Sequence, residues 1–82
     1  MGRRKGELEI GFRAAEEVRS RFPNMKDKEI CQNMIGIDRK SLWGWASGET
    51  PGGFALQRLC YAGCDIYYIL TGRRDTRDKK GD

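Results

Sequence analysis

Along the first third of the chain, Leu8, Phe12, Ala15, Val18 and Phe22 recur at spacings of four, three, three and four residues. That is one apolar stripe of a helix, and it predicts a helix over residues 7–22 with Arg13, Glu16, Glu17 and Arg19 off the stripe. Glu7 and Glu9 suit the positive end of the helix dipole, and Arg19 and Arg21 suit the other. Pro23 stops this helix. The next periodic segment, 27–35, pairs Ile30 with Met34 and Cys31 with Ile35, with Asn24 or Asp27 as its expected cap. Gly36 ends it, and Asp38 is the expected N-cap of a third helix over 39–47, in which Leu42 and Trp45 point inward together. Gly48 closes that helix, and residues 50–53 form a loop. Phe54, Leu56, Leu59 and Cys60 start a fourth helix that ends at Gly63. Asp65 caps a short last one, in which Ile66, Ile69 and Leu70 share a face and Gly72 terminates. No segment alternates with the period of a strand. The predicted fold is all-α, a compact bundle of about five short helices.

Composition makes that core thin. Leu, Ile, Val and Phe together are 15 of 82 residues, so Trp45, Phe12, Phe22, Phe54 and the three Cys and three Met are expected to fill it. No run of about 18 apolar residues exists to cross a membrane, and the N-terminus has no apolar leader core. There is no His, which removes Cys-His and Ser-His-Asp centres and the commonest acid–base group. The chain is therefore not expected to be an enzyme, nor to take a small-molecule substrate or cofactor. Cys31, Cys60 and Cys64 cannot complete a four-ligand zinc site alone. Cys60 and Cys64, four apart, read either as a redox or metal pair or as small buried hydrophobes; the expectation is no metal, and reduced thiols in a cytoplasmic compartment.

The net charge is +4. Residues 1–24 and 73–82 each carry +2 and the middle of the chain is neutral. Three units are expected: a flexible basic arm over 1–6 with Arg3, Arg4 and Lys5, a folded domain over 7–72, and a charged tail or linker over 73–82.

Segment 27–45 is a helix, a tight turn at Gly36 and a second helix, with Leu42 and Trp45 six and nine residues after the glycine. That spacing fits a helix-turn-helix whose second helix has Arg39 and Lys40 on its outer face. Arg and Lys are the side chains that read guanine O6 and N7 in the major groove. Trp43 stays open between packing, dimerisation and DNA contact. WGW, like Tyr67 and Tyr68, also reads as a base-stacking platform or as ordinary helix packing.

GIDRKSLWGWASGETP resembles the GxSxxTLSxWxxGxxxP signature of lambda-repressor-like (Cro/CI-type) helix-turn-helix proteins, and LQRLCYAGCDIYYILTGRR resembles the close of phage CI-type DNA-binding domains. The similarity covers about residues 8–74. It implies that Arg39, Lys40, Ser41 and Gly44 face bases, that Trp43 and Ser47 lie beside the DNA backbone, and that Leu42 and Trp45 are core. Arg3, Arg4 and Lys5 would add phosphate contacts, and an outward Tyr67 or Tyr68 would join two copies. One departure is Gln32, where the family has Ala. Either the first helix carries an extra residue that puts Cys31 in the Ala role, or a shifted helix accommodates Gln32.

The expected function is a sequence-specific double-stranded-DNA-binding regulator. The resemblance implies a phage or prophage repressor in the bacterial cytoplasm, acting as a homodimer on a pseudo-palindromic operator by promoter occlusion. Two alternatives stand beside it: an interaction or inhibitor module on the same fold, and the N-terminal DNA-binding piece of a longer repressor.

Overall fold

The longest apolar stripe forms the longest helix, α1, which spans Lys5–Arg21. It starts two residues before the expected boundary, so Lys5 belongs to its first turn and not to an arm. The computed structural model describes residues 5–74, with side chains from residue 9. Arg3, Arg4, the Lys5 and Leu8 side chains and the tail over 75–82 lie outside that description. The buried strip of α1 is Gly11, Ala14, Ala15 and Val18, one step round from the expected stripe, and Phe12 is 46% exposed. The cause is the crossing with α3, described below. A Cβ on Gly11 would overlap the Glu49 carbonyl oxygen and stand 2.9 Å from that of Trp45. Small residues therefore face α3 and the large Phe12 ring is pushed to the rim.

The second helical stretch changes pitch. A single turn, α2 (Asp27–Glu29), runs into a π-helical segment, Ile30–Ile35. Neither Asn24 nor Asp27 caps it. The backbone N–H of Lys26 instead donates to Glu29 Oε1 at 3.0 Å. Hydrogen bonds from i+5 to i bring residues five apart onto one face. Ile30, Cys31 and Ile35 are accordingly buried, while Gln32 and Met34 are exposed. This corrects the expected Ile30–Met34 pairing and settles the place of Gln32: an extra residue is wound into the segment, and Cys31 takes the inward position. Gly36 ends the segment in the left-handed region (φ 65°), its N–H donating to the Cys31 carbonyl. Arg58 Nε donates to the Ile35 carbonyl at 2.8 Å, placing a cation on the negative end of the π segment.

Helix α3 spans Arg39–Ala46, α4 Gly53–Tyr61 and α5 Ile66–Thr71. Asp38 stands at the N-cap of α3 without a side-chain cap bond. Asp65 caps α5 as expected, accepting from the Tyr68 N–H at 3.0 Å. The core joins Ala14, Ala15 and Val18 to Ile30, Cys31 and Ile35, then to Leu42 and Trp45 of α3, Leu59 of α4, Cys64, and Ile69 of α5. Burying a side chain such as Val18, Leu42 or Leu59 contributes about 1.5–3 kcal/mol each. Phe54 is 67% exposed and Leu70 46%, so neither fills the core as expected, and Cys60 also lies outside it.

In place of the missing apolar mass, α1 holds α5 by polar side chains. Arg13 Nε donates to the Ile69 carbonyl at 2.9 Å and Nη2 to that of Leu70 at 3.3 Å. Buried Glu17 accepts the Asp65 N–H at 2.9 Å and pairs with Arg21 at 3.3 Å and Arg74 at 3.0 Å. Tyr68 Oη donates to Glu16 at 2.7 Å, and that bond holds its hydroxyl above the usual phenol range. Among the described residues, no helix is long and apolar enough to cross a membrane.

Candidate nucleic-acid interface

Helix α3 is anchored from beneath and open above. Leu42 is fully buried and Trp45 nearly so, and α1 packs against it more extensively than against any other element. On the outer side Arg39, Lys40, Trp43, Ala46 and Ser47 are exposed, with Ser41 and Gly44 half-buried. The residues expected to face DNA bases or backbone on α3 thus come together on one helix. Its first turn holds two cations and no acid. The helix dipole favours anions there, by about 0.3–1 kcal/mol per charge, so Arg39 and Lys40 sit where they do little for stability. They add instead to the positive potential already present at a helix N-terminus.

Trp43 is 48% exposed and is held on two sides. The Arg39 guanidinium lies 5.2 Å from the centroid of its ring, a cation–π pair at i and i+4. On the other side lies the Asp27 carboxylate, which Arg19 grips through Nε at 3.2 Å and Nη2 at 2.9 Å. The Arg19 bonds hold the Asp27 carboxyl below the usual carboxylate range, and Trp43 and Arg39 add to that pull. Arg19, Asp27, Trp43 and Arg39 are therefore successive neighbours from α1 through α2 to α3, and the ring of Trp43 sets the direction of the Arg39 side chain. Asp27 was visible in the sequence only as a cap. Its partner is eight residues away across a turn, a separation that no helical period marks.

The end of α3 contains a second feature absent from the sequence reading. The Gly48 N–H donates to the Trp45 carbonyl at 2.9 Å and the Glu49 N–H to that of Gly44 at 2.8 Å, with Gly48 at φ 107°. This is the Schellman closure of a helix. It folds residue 49 back over residue 44, and the Glu49 carboxylate lies where a Cβ of Gly44 would be. Gly44 is thus covered by an acidic side chain and not left open for close approach.

The tyrosines stand on α5, apart from this face in the fold. Tyr67 is 48% exposed. Tyr68 is half-buried, bonded to Glu16 and stacked under Arg74, whose guanidinium carbon lies 4.0 Å from the ring centroid. Of the pair, only Tyr67 presents a free outer face. Burial pushes the Cys64 thiol up to about 11 and raises that of Cys31, whereas Cys60 is exposed. Among the described residues, no group of three or more Cys, Asp or Glu is placed to hold a metal ion. Comparisons with protein-family models, with curated proteins and with solved structures find no match for this chain.

Proposed function

We propose that this protein is a sequence-specific double-stranded-DNA-binding regulator. In this reading α3 is the recognition helix of a helix-turn-helix whose first helix is α2 with its π segment. The observation that carries it is the first turn of α3. Arg39 and Lys40 are exposed side by side, unpaired by any acid of that turn and set against the helix dipole, while Leu42 and Trp45 fix the same helix to the body of the protein. A short helix of this kind reads about 4–6 base pairs, so useful selectivity calls for two copies on paired half-sites ~34 Å apart. Tyr67 is the contact proposed to join them, and repression would follow from promoter occlusion.

The test is a selection of bound duplexes from a random pool, followed by anisotropy titrations. The expected result is a selected duplex bound well above random DNA, with Arg39→Ala costing about 1–3 kcal/mol on that duplex and relaxing the preference at one position. Equal binding of selected and random duplexes by the wild type would sink the reading. A second reading, an interaction module on the same fold, is favoured by the exposed aromatics of α4, Phe54 and Tyr61 at 67% and 73%. Those two residues stand seven apart on one helix face. It predicts no DNA selection and loss of partner binding on Phe54→Ala with Tyr61→Ala.

A further inference from the structure

We propose that Glu49, from outside the recognition helix, supplies a base-reading side chain, with Gly44 as its seat. The inference rests on the DNA-binding reading above and names the chemistry of one position in that site.

Three observations carry it. The Schellman closure pins the Glu49 backbone through its N–H to the Gly44 carbonyl at 2.8 Å. On the opposite side the Glu49 carbonyl is pressed against Gly11 of α1, in a space that no Cβ fits. The backbone of residue 49 is thus clamped between two helices, although the residue lies beyond the end of α3. From that clamp its carboxylate reaches back over the Cα of Gly44 and occupies the volume a side chain there would take. Gly44 is one turn beyond Lys40 on the open side of the helix. Finally, Glu49 is exposed. A carboxylate acceptor is thereby brought from a fixed backbone to the position one turn beyond Lys40.

The three groups present complementary chemistry to a major groove. Arg39 and Lys40 match the acceptor atoms of guanine, whereas a carboxylate matches an exocyclic amino group. Adenine shows its N6 amino group beside the N7 acceptor, which would repel the second carboxylate oxygen. Cytosine shows its N4 amino group with no acceptor beside it on the same edge. Glu49 accordingly selects cytosine at one position of the site, next to the guanine-reading pair.

The test uses the full chain and a random duplex pool, with wild type, Glu49→Gln and Glu49→Ala compared. Glu49 is exposed on a surface turn, so both variants are expected to fold, and circular dichroism verifies this. The expected result is cytosine at one fixed position for wild type. Gln hydrogen-bonds both N6 and N7 of adenine, so Glu49→Gln should move that preference to adenine. Glu49→Ala should erase it, leave the other positions unchanged and weaken binding to the wild-type site about tenfold, the ordinary worth of one base contact. Unchanged preferences in both variants would overturn the inference, as would adenine at that position for the wild type. So would an equal gain of affinity of Glu49→Ala for every duplex, the signature of a carboxylate that only repels phosphates. A wild type with no preference for any duplex removes the DNA-binding reading itself. A wild type whose preference ignores Glu49 removes this inference alone.

Discussion

At the scale of single residues, two glycines with opposite consequences govern the site. Gly11 faces backbone: the carbonyl oxygens of Glu49 and Trp45 occupy the space of a Cβ, and backbone cannot swing away. Gly11→Ala is therefore expected to force α1 and α3 apart and to cost about 1–3 kcal/mol, the range of overpacked cores. Gly44 faces only the carboxyl end of the Glu49 side chain, which can rotate. Gly44→Ala should be close to neutral, with helix propensity adding up to about 1 kcal/mol in its favour. Urea unfolding of the two variants tests the contrast, and equal losses would mean that the crossing at Gly11 is looser than described. Nothing in the apolar periodicity separates these two glycines. Both look like interruptions of a helix, and only the neighbouring element distinguishes them.

At the scale of elements, all five helical segments and the turn glycines Gly36, Gly48, Gly63 and Gly72 were legible, because glycine marks the left-handed turn wherever it occurs. The π segment was not. A period of four fits Ile30–Met34 and Cys31–Ile35 equally well, and only tertiary packing selects the i, i+5 face that buries Ile30 and Ile35 and exposes Met34. The anomaly that pointed to it was a polar Gln32 at a position expected to be small. Deleting Gln32 would leave Ile30, Cys31 and the former Ile35 at spacings an ordinary α-helix buries. The deletion is expected to restore α-helical pitch and to keep Tm within ~4–8 °C of the wild type, about 1 kcal/mol for a domain of this size. A scanning melt with far-ultraviolet circular dichroism measures both, and loss of the folded state would show that the packing of α3 depends on the π pitch. The buried face of α1 lies one step round from its large apolar stripe for a related reason: such a stripe marks a core face only where the neighbour is not close enough to demand small residues.

For the whole molecule, polar locks replace the aliphatic mass that composition lacks, and they set the pH range of stability. Asp27 has its carboxyl held low chiefly by Arg19, so it contributes stability that is present above the unfolded carboxyl range, near pH 4, and is lost as pH falls through the lowered native value. Cys64 works in the opposite direction. Its thiol is raised by burial to about 11, so its contribution is complete below the unfolded thiol range and disappears as pH rises toward 11. Tyr68, raised by its bond to Glu16, adds to the same alkaline loss above about pH 10. Melting curves across pH should show limbs at both ends. Asp27→Asn is expected to flatten the acid limb alone, and Cys64→Ala the alkaline limb in part. An alkaline limb indifferent to Cys64→Ala would assign that loss to Tyr68.

The six-residue last helix has a consequence of its own. A helix of that length does not persist in water unaided, and α5 is fastened by α1 through Arg13, Glu16 and Glu17 at points along its length. Besides these polar fastenings, one of its apolar side chains, Ile69, is fully buried in the shared core. A helix this short is expected to open as one cooperative unit at a lower free energy than α3, so the surface bearing Tyr67 would form a foldon of its own. Association through that surface would close the foldon by mass action, so self-assembly would be felt as slower amide exchange in α5 and leave the direction of Arg39 unchanged.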